Sequence, residues 1–163
     1  MNKDKKEPDL IVWVVEDGAK HALDATEVAL AEALEAGLRV ELYWDPTIRW
    51  DSFLSGPPPA TYRPEFTKTE HLPAVVILDL FVQEGFLAEE YLRALRCVED
   101  SSNSSRSWVI LWSVKTSFPD AQDLLYIEPL RDRKLLFTRS KEKLVLREKL
   151  TRCFRSWKEE RFQ

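Results

Sequence analysis

Three short runs of nearly unbroken apolar residues, LIVWVV (10–15), AVVIL (74–78) and WVILW (108–112), each stop at a polar side chain. Each run is too short for an average helix and rich in β-branched and aromatic residues, as a strand buried on both faces would be. Leu38–Trp44 alternates and reads as a further strand, and KLLFTR (134–139) as the last. Helical patterns lie between them. Asp24 with Glu27 three residues later has the spacing of a capping box, and Gly37 is placed to stop that helix. Phe86–Val98 has helical periodicity, and residues 119–130 hold a short helix broken by Pro129. From about Lys141 a long helix sets Leu146, Leu150, Cys153 and Trp157 on one face. EDSSNSSRS (99–107) reads as a polar loop, and the segment 45–72, with SGPPPATYRP inside it, as irregular. Strands alternating with helices predict an α/β fold around a parallel sheet.

In such sheets ligands sit at the carboxyl ends of the strands. Those ends collect Glu16 and Asp17, Asp79, Ser113 and Arg139 at one edge. Three carboxylates there suit a hard, oxygen-seeking cation such as Mg²⁺. A hydroxyl and a guanidinium beside them suit the oxygens of a phosphoryl group.

The 163 residues fit one domain with a sizeable core. No stretch approaches a membrane span, and the charged start MNKDKKEPD lacks a signal-type apolar segment, so a cytoplasmic, membrane-free protein is expected. Cys97 and Cys153 have no metal-ligand spacing and read as two reduced, buried thiols. His21 and His71 are isolated and read as surface residues. Trp13, Trp108 and Trp112 lie inside strands and read as core.

The ordered set of strand-end residues resembles the receiver domain of bacterial two-component response regulators over about residues 9–155. In that family an acidic pair follows the first strand, a phosphorylated Asp ends the third, a Ser or Thr the fourth and a Lys the fifth. Here Glu16-Asp17, Asp79, Ser113 and Arg139 stand at the matching places. LAEALEAGLRV resembles the family's first helix and second strand, LPAVVILDL the approach to the acceptor, and Gly85 the glycine after it. The resemblance implies a flavodoxin-like, five-stranded parallel sheet in order 2-1-3-4-5 with helices on both faces. It implies a single stand-alone receiver in a phosphorelay, a phosphoryl acceptor rather than a turnover enzyme. Asp79 would take the phosphoryl group from a histidine kinase or phosphotransfer protein. Mg²⁺ would be held by Glu16, Asp17, Asp79 and the backbone carbonyl of Phe81, and Ser113 and Arg139 would bind the phosphoryl oxygens.

The chain departs from the pattern at several points. Arg139 replaces the usual Lys, and its planar fork does not reproduce a point-charge ammonium. Ser140 replaces the usual Pro, Val114 a small residue, and Leu136 a frequent aromatic. The Pro-rich stretch 45–72 is longer than usual. These departures support a second reading, a degenerate receiver that binds a protein partner without phosphorylation, with Arg139 in the cation's place. Toprim-type and haloacid-dehalogenase-type sites both need a second Asp that DLF (79–81) lacks.

Charge is unevenly spread. Residues 131–163 carry 12 Lys and Arg against 5 Asp and Glu, while the whole chain is at −4. A basic last helix on an acidic body favours an acidic protein partner or self-association through that helix. No nucleic-acid partner is expected, because the acidic remainder repels phosphates.

Overall fold

The computed structural model describes residues 8–16, 19–44, 72–79, 81–83, 86–101, 103, 105–112, 134–138 and 142–161. Along the chain run β1 (Leu10–Val15), α1 (Ala19–Glu35), β2 (Val40–Trp44), β3 (Val75–Leu78), β4 (Phe81–Gln83) and β5 (Phe86–Leu87). They are followed by α2 (Ala88–Ser101), β6 (Trp108–Trp112), β7 (Leu135–Thr138) and α3 (Lys143–Arg161). Five strands form one sheet in the order β2-β1-β3-β6-β7, every pair parallel. Counting only these five, the order is 2-1-3-4-5, the flavodoxin-like arrangement expected from the sequence.

The strands β1, β3 and β6 lie inside the sheet, which explains their unbroken apolar character: each has a helix layer on both sides. One layer packs Val12, Val14, Val75, Ile77, Ile110 and Trp112 beneath α1 and α3. The opposite layer packs Trp13, Val15, Val76, Leu78, Val109 and Leu111 against Tyr91, Leu92 and Leu95 of α2. The predicted face of α3 is buried at Leu146, Leu150 and Cys153, Phe154 joins it, and Trp157 packs partly buried at its margin. Burying each of these leucines and the phenylalanine stabilises the fold by about 1.5–3 kcal/mol.

Gly37 closes α1 as expected. Its φ is +73°. Its N–H donates to the Leu34 carbonyl at 3.1 Å and that of Leu38 to the Ala33 carbonyl at 2.8 Å. This is the paired-bond Schellman ending, in which a residue in the left-handed region costs least as glycine.

Three expectations require correction. The first helix does not begin near Asp24; it begins at Ala19, and Asp24 lies inside it. Asp24 and Glu27 instead face α3, where both pair with Lys143. The helix read as Phe86–Val98 starts at Ala88, because Phe86 and Leu87 pair antiparallel with Phe81–Gln83 in a small hairpin. The polar stretch 99–107 is not all loop: α2 runs to Ser101, and Glu99 and Ser107 are buried. The predicted helix at 119–130 and the stretch 45–71 lie outside the described residues. Among the described residues no helix is long and apolar enough to cross a membrane.

Candidate functional site

The register of the sheet sets the geometry of its carboxyl edge. Val15 pairs with Leu78, Leu78 with Leu111, and Trp112 with Thr138. The next row across the edge is therefore Glu16, Asp79, Trp112 and Thr138. The N–H of Asp79 donates to the Val15 carbonyl at 2.9 Å, so Asp79 is held against the end of β1. All four residues of the row are buried: Glu16 is 2% exposed, Asp79 9%, Trp112 fully enclosed and Thr138 2%.

Two of the predicted site residues, Glu16 and Asp79, are thus brought together at neighbouring ends of central strands. Like charges so placed raise each other's energy, and burial adds a desolvation cost. Both residues make further interactions. Both offer oxygen donors only, the chemistry that a hard divalent cation takes. Phe81 opens β4, with its backbone paired to Leu87 two residues past Asp79. Asp17, Ser113 and Arg139 lie outside the described residues, directly after Glu16, Trp112 and Thr138 in the chain. Among the described residues there is no group of three His, Cys, Asp or Glu side chains placed to hold a metal.

Two residues at this edge carry more than their sequence signal suggested. Thr138 donates its hydroxyl to the Leu111 carbonyl at 3.2 Å, tying the ends of β6 and β7 together just before Arg139. His21, expected at the surface, is half-buried in the first turn of α1. Its ring meets that of Trp112 edge-on, with centroids 5.9 Å apart and an interplanar angle of 84°. Neither position had a periodic or spacing signal. Their burial follows only from the register that sets Trp112 beside Thr138 and under α1.

A second buried polar cluster lies at the opposite, amino edge. Arg96 donates from one guanidinium nitrogen to Glu99 at 2.8 Å and to the Ser107 hydroxyl at 3.4 Å. The other carboxylate oxygen of Glu99 accepts the backbone N–H of Ser107 at 2.7 Å. Arg96 is 5% exposed, Glu99 fully buried and Ser107 1% exposed. The cluster fastens the end of α2 to the start of β6. Its sequence signal was the three-residue spacing of Arg96 and Glu99, which an exposed helix pair shares.

The thiols differ from each other. Cys153 is buried and its pKa is pushed up to about 12 by burial, with Arg152 and Lys149 opposing weakly. Cys97, expected to be buried, is exposed on α2.

On α3, the predicted basic face is partly engaged within the molecule. Lys143 pairs with Glu27 at 3.2 Å and Asp24 at 3.6 Å, and Arg147 pairs with Glu32 and, at 3.1 Å, Glu35. Glu27 beside Lys143 and Glu32 beside Arg147 raise the pKa of each base. Thr151 donates to Glu32 at 2.8 Å and Lys158 to the Ala36 carbonyl at 2.9 Å, at the end of α1. Lys143, Arg147 and Lys158 therefore hold α3 to α1.

No family model, curated protein or solved structure matches the chain.

Proposed function

We propose that this protein is a receiver-like signalling domain that accepts a phosphoryl group on Asp79. The observation that supports this reading is the juxtaposition of two buried acids, Glu16 and Asp79, at adjacent ends of β1 and β3 in a parallel sheet of order 2-1-3-4-5. Acids buried side by side are costly unless positive charge or donors meet them. Glu16, Asp17 and Asp79, with the Phe81 carbonyl, are the groups that would hold Mg²⁺. The ion would supply charge neutralisation of the incoming phosphoryl group. Asp79 is the nucleophile in this reading: one carboxylate oxygen forms the bond to phosphorus as the bond to the donor nitrogen of a phosphohistidine breaks. Ser113 and Arg139 follow β6 and β7 and would hydrogen-bond the phosphoryl oxygens. Thr138, anchored to Leu111, would pass a movement of Arg139 to the β6–β7 edge. Output would then be contact with a protein partner.

The experiment is intact-mass measurement after incubation with acetyl phosphate and Mg²⁺. One phosphoryl adduct is expected on the wild type, none on Asp79→Asn and none with EDTA. Absence of the adduct from the wild type overturns the reading.

A second reading, a phosphorylation-independent binding module, is favoured by Arg139 in place of Lys. There a guanidinium takes the place of the cation. Magnesium titration followed by the fluorescence of the buried Trp13 and Trp112 separates the two. A saturable response that is lost in Glu16→Gln excludes the module reading, and a flat titration favours it.

A further inference from the structure

The outer face of the α1–α3 layer carries two depressions that run into one another, of about 390 Å³ and about 340 Å³. They share Glu32, Glu35 and Arg147, so they form one groove along the seam of the two helices. The pairs Asp24 with Lys143, Glu32 with Thr151 and Ala36 with Lys158 show that α1 and α3 run in the same direction. Charge along the groove is graded. The end nearer the helix starts holds Asp24 and Glu27 against Lys143, one carboxylate in excess, and Glu32, Glu35 and Arg147 line both depressions between the ends. The far end adds Arg155 and Lys158 and leaves one base in excess. Leu144, 64% exposed, lines the groove on α3, and Leu34, 81% exposed, stands on the outer side of α1.

We propose that this groove is a self-association surface that takes the α1–α3 face of a second copy across a twofold axis. A twofold perpendicular to the seam reverses the groove. It sets the acid-rich end of one copy, with Glu27, against the base-rich end of the other, with Arg155. A groove that is negative at one end and positive at the other is complementary to itself in that orientation and in no parallel one. Leu34 and Leu144 of both copies then leave water together. The contact is modest in size. Helices of 17 and 19 residues lying side by side present a face of roughly 500 Å², below the ~800 Å² per partner of a standard stable interface. The dimer is therefore weak and reversible.

Sedimentation velocity on the full, unphosphorylated chain without Mg²⁺ tests this independently of the phosphoacceptor reading. Wild-type protein is expected to shift from monomer to dimer between about 1 µM and about 300 µM, and less so at high salt. Leu34→Glu and Leu144→Glu, at exposed sites, keep the helical circular-dichroism signal and stay monomeric. Glu27→Arg alone and Arg155→Glu alone are each monomeric. An equimolar mixture of the two dimerises, because both twofold-related ends are then oppositely charged. Wild-type protein that stays monomeric throughout, a dimer indifferent to Leu34→Glu, or a mixture that fails to associate would each overturn the proposal.

Discussion

Buried carboxylates sit at both edges of the sheet, but in opposite company. At the amino edge Glu99 is fully enclosed beside Arg96, its base, one helical turn earlier, and the Ser107 backbone completes the set. At the carboxyl edge Glu16 is enclosed beside another acid, Asp79. The first arrangement pairs opposite charges and spends its hydrogen bonds on joining α2 to β6. The second concentrates like charge at the centre of the sheet, where a helix layer lies on each side and strands end. Equal burial thus has two meanings. A base beside the acid makes a fastener; an acid beside the acid is, under the proposed function, a place to receive a cation or a phosphoryl group.

The contrast is broken most severely by removing the acid of the fastener. Glu99→Gln leaves Arg96 buried without its counter-charge, and a loss of about 3–5 kcal/mol is expected in urea unfolding. A loss under about 1 kcal/mol would show that Glu99 is no closed pair, erasing the difference between the edges.

Burial as the dominant influence is calibrated by Cys153. Its folded pKa, about 12, lies above the ~8.5 of a free thiol. The unfolded chain releases the proton first, so the thiol's contribution is fully present below about pH 8.5 and is lost as pH rises toward 12. Stability should fall by up to about 1.4 kcal/mol per pH unit inside that window, and Cys153→Ala should flatten this component. The same difference is read chemically: a thiol reagent should modify Cys97 at once in the native protein and Cys153 only on unfolding.

At the carboxyl edge the sign of the effect reverses. Asp79→Asn removes one of two crowded charges and is expected to stabilise the metal-free protein by about 1 kcal/mol. Mg²⁺ should raise the melting temperature of the wild type and not of the variant. If Asp79→Asn destabilises instead, the acid is a fastener like Glu99, and the phosphoacceptor reading loses its main support.

The smallest effect belongs to the exposed ladder between α1 and α3. Arg147→Ala should lower the melting temperature only slightly, chiefly through the shielded Glu32, and the loss should shrink at high salt. A salt-independent loss above about 2 kcal/mol would move this ladder into the class of the Arg96–Glu99 fastener.

The sequence by itself determined the five strands of the main sheet, their parallel arrangement and the edge at which Glu16 and Asp79 gather. Residues that must be dry on both faces admit few alternatives to β-branched and aromatic side chains. It also placed Glu16 and Asp79 at strand ends, because an apolar run has to stop where water or chemistry begins. It determined the end of α1 at Gly37, where the left-handed backbone is a local requirement. Only the tertiary structure decided which polar residues are enclosed. Glu99 and Ser107 lie in a stretch as polar as any loop, and Asp24 with Glu27 has the spacing of a cap. Lys143 and Arg147 look like free surface charge in the chain and are paired with α1 in the fold. Such roles depend on groups that are not chain neighbours, 8 residues apart for Glu99 and Ser107 and 112 for Arg147 and Glu35. The free energy of a charge is set by what surrounds it in space, and local sequence carries little record of those surroundings.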